Sequence, residues 1–333
     1  MSTLPSPLLP LREGEGGTAR HPFLRRTALR LARAAGVALW VMVIAFGLIR
    51  LAPGDPVLAL LGAEAPPAAI EKLRRDLRLD VDPVTQFAEY GWGMLHGRLG
   101  TSIETKRDVA AIIAESLPVT LGIIAVTIVL ALLMAVPLAL LIATSRSRLV
   151  PYIFRASTSV MLAIPAFFTA LIALIVFGLH YGIAPIIGYE PGFPANLKYL
   201  WLPALVICTH LVPVLSRVLH ASLIQTRTEE FVETGIIRGV SRLRFTWFYL
   251  LKPSLAPSIV LLSYMVGVMI GSTVIIETIF SLPGIGRSLV GAVISRDYPL
   301  VQGIVLVFGL FVVAVSLAGD ILANWLDPRV GSS

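Results

Sequence analysis

The sequence predicts an all-α integral membrane protein with six transmembrane helices, and three observations carry that prediction. The 333 residues are 56% hydrophobic and only 14% charged, whereas a soluble domain is roughly 25% charged. Polar side chains are therefore too few to cover a water-facing surface, and mean hydropathy is +0.84. The apolar residues gather into six runs, each long enough to cross a hydrocarbon layer of about 30 Å. Finally, the net charge of +7 comes mainly from arginines that cluster beside those runs. That is how topology signals are arranged, and it requires no nucleic-acid partner.

Residues 1–30 read as a cytoplasmic tail, disordered where Pro, Gly and charge crowd together. A six-span unit then covers 31–329, and 330–333 form a short tail. The first span is Ala34–Leu51. Arg25-Arg26 ahead of an apolar run imitates a signal peptide, but the run is long enough to span and more spans follow, so it reads as retained. It ends at "RLAPGDP", where Pro53, Gly54, Asp55 and Pro56 read either as a tight turn closing the helix or as part of an outer gate.

An external loop over 52–112 follows. Within it "PPAAIEKLRRDLRLD" reads as an amphipathic helix with Pro66 and Pro67 in its first turn. "VTQFAEYGWGMLHGRLG" reads as a second helix with aromatic residues at the interface. The second span is Leu117–Ala143, and the third is Tyr152–Leu179 with a kink at Pro165. A Gly- and Pro-rich loop leads to the fourth span, Tyr199–Leu219. A basic loop over 220–252 precedes the fifth span, Pro257–Phe280, and the sixth is Leu300–Ile321.

Arginine placement orients the chain. Arg20, Arg25, Arg26, Arg30 and Arg33 flank the first span; Arg146 and Arg148 follow the second; Arg227, Arg238, Arg242, Arg244 and Lys252 follow the fourth. A six-span arrangement puts all three groups on one side, which the positive-inside rule makes cytoplasmic, together with both termini.

Several function classes lack their residues. No Gly-Lys-Ser or Gly-Lys-Thr is present to hold nucleotide phosphates, and no HExxH, CxxC or GxSxG occurs. Cys208 reads as a small core residue of the fourth span. His180, His210 and His220 around that span read as packing or interface histidines, with a metal site as the alternative. Charges are nearly absent from the spans, with Glu277 and Asp320 placed near span ends at headgroup level. An ion-coupled carrier usually needs such groups mid-membrane. The chain reads as a pathway whose power source lies elsewhere.

"EFVETGIIRGVSRLRFTWFYLLKPSL", Glu230–Leu255, is a polar interruption of two-helix size. A helix beginning at Thr226 with Glu229 completing a capping box, and with Val232 and Ile236 on one face, fits the spacing. Gly235 and Gly239 suit close backbone approach, and Gly239 also suits a helix C-cap. Ser241 would then cap a second helix carrying Leu243, Phe245, Trp247 and Phe248. On spacing alone two readings stand: an interfacial helix whose Arg238, Arg242 and Arg244 meet lipid phosphates, or a docking point for another subunit.

Glu233-Thr234-Gly235-x-x-x-Gly239 resembles the EAA-x-x-x-G loop of permease subunits in binding-protein-dependent ABC importers. Thr234 and Gly235 stand where that family usually has alanines. Its later I-x-L-P is kept imperfectly, with Tyr249 for the Ile and Pro253 one position late. "RLAPGDPVLALLG", "HGRLGTSI", "ESLPVTLGI" and "ETIFSLPGIGRSLVGAVISRDYPLVQG" are similar to the first permease subunit of the dipeptide/oligopeptide/nickel subfamily, over about Arg30 to Arg329.

The resemblance implies an inner-membrane permease without enzymatic activity or a cofactor of its own, ATP being used by partner subunits. It implies a cytoplasmic coupling-helix loop that includes Glu233, Thr234, Gly235, Arg238, Gly239 and Ser241, and a helical outer loop. It also implies a second homologous permease subunit, two ATPase subunits and an external substrate-binding protein, for which Arg74, Arg75 and Arg78 offer a docking surface. Peptides are the expected solutes, with nickel chelates or other small solutes as the alternative within the subfamily. An ion-coupled secondary transporter is the alternative from a different class.

Overall fold

Each apolar run has to satisfy its backbone internally in lipid, and only helices do so strand by strand. The computed structural model describes residues 22–51, 57–58, 65–76 and 80–326, and these are helical throughout apart from the connecting turns. The elements are α1 (Pro22–Leu51), α2 (Pro67–Asp76), α3 (Pro83–Leu95), α4 (Val109–Thr144), α5 (Leu149–Ala163), α6 (Ala166–His180), α7 (Leu197–Thr226), α8 (Glu230–Ile237), α9 (Arg242–Ile279), α10 (Ile285–Ile294) and α11 (Tyr298–Leu326).

Among the described residues four helices are long and apolar enough to cross a membrane: α4, α7, α9 and α11 up to Ala323. The expected count of six is not reproduced in that form. The apolar part of α1 is the shorter run Ala34–Gly47, and the expected third span is two helices meeting at 90°. Pro165 causes that break more drastically than a kink. A residue before proline is pushed out of the α region, and Ile164 is extended, with φ −82° and ψ 123°. The Ile164 carbonyl is freed from helical bonding and accepts Nε2–H of His210 at 2.9 Å. This gives His210 a structural task.

The helix expected to follow a tail over 1–30 already begins at Pro22, a residue suited to a helix start. The tails over 1–21 and 327–333 lie outside the described residues. α4 also begins earlier than expected, at Val109, with the Asp108 side chain accepting the Ala110 N–H at 3.1 Å.

The core runs between α4, α7 and α9. Ile123, Ala131 and Ala135 of α4 meet Leu200, Cys208, Leu211 and Leu215 of α7 and Met269 and Ile276 of α9, all buried. Cys208 is thus a core residue. The outward faces of α5 and α6 keep Tyr152, Ile153, Val160, Phe167 and Leu171 exposed, which suits lipid or a neighbouring membrane subunit.

α2 begins as expected, with Pro67 in its first turn. Asp82 caps α3 by accepting the Thr85 N–H at 2.9 Å, and that bond holds the Asp82 carboxyl below the usual carboxylate range. α3 is fastened to α1 through Phe46, whose ring meets Phe87 at 5.2 Å and Tyr90 at 5.6 Å. The segment after α3 is held by Asp297, which is fully buried. Its carboxylate accepts the Ser102 hydroxyl, the Ile103 N–H at 3.1 Å and the Leu300 N–H at 3.3 Å. One acid thus ties the 100–105 loop to the start of α11.

Asp297→Ala removes the acceptor while leaving these donors buried. The expected cost is roughly 2–3 kcal/mol, seen as a lower melting temperature in detergent and faster proteolysis near Lys106. Unchanged protease sensitivity would show that the loop is held by other contacts.

Candidate functional site

The basic interruption after α7 folds into a small attached unit. α7 continues to Thr226, whose hydroxyl meets that of Ser254 at 2.9 Å in the interior. Thr226 is therefore committed to the bundle and caps nothing. The expected capping box is replaced by a turn over 227–229, with Glu229 at the N-cap of α8 and no side-chain cap bond. Arg227 crosses this turn and its Nη1 donates to the Ala143 carbonyl at 2.7 Å. The Arg146–Arg148 turn and the 227–241 loop are thus at the same end of the bundle.

α8 has two unlike faces. Val232 and Gly235 are buried, Val232 among Ala139, Ala143, Leu219, Leu223, Leu250 and Leu251. Glu233, Thr234 and Arg238 are exposed, with Ile236 64% and Ile237 81% exposed. Of the expected Val232–Ile236 face, then, only Val232 is covered, and Ile236 one turn on is exposed. The i, i+3 pair Val232–Gly235 faces inward, and two isoleucines point away from the protein beside Glu233, which has no hydrogen-bond or ion-pair partner among the described residues.

The helix stops as Gly239 predicts. Gly239 adopts φ +61°, its N–H donates to Ile236 O at 3.0 Å and the Val240 N–H reaches Gly235 O at 3.4 Å. These two bonds make a Schellman ending, which needs the left-handed residue that glycine supplies. A Cβ on Gly239 would meet no described atom within 4 Å, so its role is conformational and the expected close approach belongs to Gly235. Ser241 takes the N-cap position of α9 with extended backbone, but its side chain makes no cap bond.

The departures from the EAA pattern explain one another. A Cβ on Gly235 would lie 2.8 Å from the Tyr249 ring, and Tyr249 is stacked on Phe245 with centroids 5.9 Å apart. Glycine in place of alanine leaves the volume that tyrosine in place of isoleucine fills. The late Pro253 has a counterpart too. Residues Phe245–Leu251 form a π turn inside α9, and a π turn takes up one residue more than an α turn.

A second cluster lies at the opposite end of the bundle. Glu277, expected at headgroup level, is fully buried. Its Oε1 accepts the Thr120 hydroxyl at 2.6 Å and its Oε2 accepts the Arg287 N–H at 3.0 Å, while Thr120 Oγ1 accepts the Ile285 N–H at 2.9 Å. Thr120 and Glu277 together satisfy donors in the first turn of α10, where a negative charge is favoured. Glycine is needed around the acid, since a Cβ on Gly284 would sit 2.4 Å from the carboxylate carbon. Every partner of Glu277 is a donor, so the group serves as an acceptor that holds α4, α9 and α10 together rather than as a reactive acid.

Pro53, Gly54, Asp55, Pro56 and Arg78 lie outside the described residues, while Arg74 and Arg75 are exposed on α2. The spans also hold more charge than expected. Arg217 lies in α7, long and apolar enough to cross a membrane, and Arg155 in α5, the first half of the bent pair, while Asp320 is exposed near the end of α11. Both arginines were visible in the sequence inside the apolar runs. Glu277's partner Thr120 was not, because it is 157 residues away.

Residues 135–332 match the family described as the binding-protein-dependent transport system inner membrane component. Residues 23–125 match the N-terminal family of the same membrane components. A putative peptide transport system permease protein of Brucella abortus (strain 2308) is 32% identical over 310 residues, 90% of this chain and 97% of that protein. A probable D,D-dipeptide transport system permease protein of Escherichia coli (strain K12) is 31% identical over 315 residues, covering 87% and 93%. A nickel import system permease protein of Staphylococcus aureus (strain bovine RF122 / ET3-1) is 30% identical over 303 residues, covering 90% of each. With a helical membrane bundle, a polar loop of EAA type and matches along nearly its whole length, this chain belongs to the family of inner-membrane permease components of binding-protein-dependent ABC importers.

Proposed function

We propose that the chain forms half of the translocation pathway of an importer for peptides or similar small solutes. A second homologous permease completes the pathway, and two ATPase subunits dock at α8 from the cytoplasm. One observation carries this reading. α8 is anchored by Val232 and Gly235 yet presents outward Ile236, Ile237 and a Glu233 without a partner among the described residues. Exposed apolar side chains beside such a carboxylate suit a protein cleft better than a lipid interface, where Lys and Arg normally form the polar face.

The arrangement suits rigid-body alternating access. α9 starts next to α8 and carries Glu277 in its last turn, so movement of the docked ATPases would reach the opposite end of the bundle through one helix. The peptide, D,D-dipeptide and nickel names of the relatives support peptides first and nickel chelates as the alternative cargo. The external binding protein would deliver the solute to the end carrying α2 and α3, with Arg74 and Arg75 exposed there.

Orientation is tested with reporter fusions. Fusions at Arg146 and Arg238 should report the cytoplasm and a fusion at Tyr189 the outside. An external signal at Arg238 would remove α8 from any contact with cytoplasmic ATPases.

Docking is tested with Glu233→Ala in the complete transporter. Truncating one member of a buried charge pair costs about 2–5 kcal/mol, so co-purification of the ATPases and coupled uptake should fall while membrane insertion stays normal. Unchanged assembly and turnover would take Glu233 out of the mechanism. Uptake that persists without any ATPase and follows an ion gradient would instead support a secondary carrier.

Gly235→Ala should drive a methyl group into the Tyr249 ring, an overpacking cost of roughly 1–3 kcal/mol, and loosen α8 enough to impair coupling. Adding Tyr249→Ile should restore coupled uptake. If the double variant is as impaired as the single one, the two positions are not compensating.

A further inference from the structure

Between α5 and α7 lies a cavity of about 410 Å³ lined by Arg155, Ser159, Arg217 and His220. We propose that it binds the phosphate headgroup of an anionic phospholipid. This proposal rests on α7 crossing the bilayer with α5 held against it through Arg217, and on no particular orientation.

The first ground is uncompensated charge. Arg217 is held toward α5, its Nε donating to Thr158 Oγ1 at 2.9 Å and its Nη2 to Ser159 Oγ at 2.9 Å and the Arg155 carbonyl at 3.2 Å. Arg155 donates through Nε to the Pro151 carbonyl at 3.3 Å. All these acceptors are neutral, and no carboxylate among the described residues pairs with either arginine. Guanidinium groups inside membrane segments are costly unless they meet a partner, and the described residues leave these two without a counter-anion. Arginine's planar set of donors matches phosphate oxygens.

Depth is the second ground. Arg217 is nine residues from the end of α7 at Thr226, about 13 Å. Arg155 is six residues from the start of α5 at Leu149, about 9 Å. A 30-residue helix such as α7 spans about 45 Å and overhangs a 30 Å hydrocarbon core by roughly 7 Å at each end. The cavity therefore opens near the headgroup boundary, within reach of the flexible arginine side chains.

The surroundings are the third ground. Val160, five residues further into α5 than Arg155, is 61% exposed, a surface for an acyl chain below the headgroup, and Tyr152, nearer the helix start, is 68% exposed. A zwitterionic lipid would bring its own cation to a cavity that already holds two arginines and no acid. An anionic lipid brings only the charge that is missing.

Native mass spectrometry of the delipidated full-length chain, titrated with phosphatidylglycerol or phosphatidylcholine, tests the proposal. The wild type should prefer phosphatidylglycerol. Arg155→Gln, at an exposed position, should lower that preference by a factor of roughly five, the contribution of one arginine near an anionic surface, and Arg155→Lys should restore most of it. Equal retention of both lipids, or an unchanged preference in Arg155→Gln, would overturn the assignment. Loss of the preference in millimolar inorganic phosphate would overturn it in favour of a soluble-anion site. Loss on assembly with the partner permease would show that a protein acid fills the cavity instead.

Discussion

A carboxylate buried without a cation must be surrounded by donors, and Glu277 imposes that requirement on one whole end of this permease. It draws Thr120 from α4, the first turn of α10 and two glycines into one place. Breaking such an arrangement leaves an unsatisfied buried charge, which costs more than the net gain of any one bond. Asp297 repeats the device nearby with the 100–105 loop and the start of α11. The motifs that carry the family resemblance, Glu115–Ile123 with Glu277–Arg287 and His96–Ile103 with Ser295–Leu300, are the segments these two acids bring together.

The opposite end is built on another principle. The α8 unit is attached through a handful of buried apolar contacts around Val232, one arginine-to-carbonyl bond from Arg227 and a glycine-against-ring contact. Contacts of this kind hold position without the multiple charged hydrogen bonds of the Glu277 cluster. A transporter that responds at one side while keeping its other side in register benefits from that inequality. Low-stability regions are where moving elements are drawn from.

Much of this was legible because the signals were local. Gly239 announced a helix end, Pro66 and Pro67 announced a helix start, and apolar run length located the four helices long enough to cross. Pro165 marked a disturbance in the third span, but its 90° angle depends on how α5 and α6 each pack on α7, which no local pattern encodes. Thr226 looked like a cap because threonine followed three residues later by glutamate is a capping pattern. The tertiary bond to Ser254 overrode it. Glu277 was misplaced for the same reason, since a carboxylate near a span end is ordinarily solvated, and only the fold reveals donors from α4 and α10. The mismatch at Gly235 looked like erosion of the family motif until Tyr249 was found in the vacated space.

The π turn at the base of α9 gives that helix a phase as well as a length. Successive residues of an α-helix are set about 100° apart, so one supernumerary residue turns everything upstream of it by that angle relative to an uninterrupted helix. Trp247 and Phe248, both exposed, lie within the turn itself, and Leu243 precedes it. Their azimuth is therefore fixed by where the extra residue resides and not by the register of the membrane portion. Sliding that irregularity by one position would re-aim the aromatic pair while Glu277, at the far end of the same helix, kept its bearing.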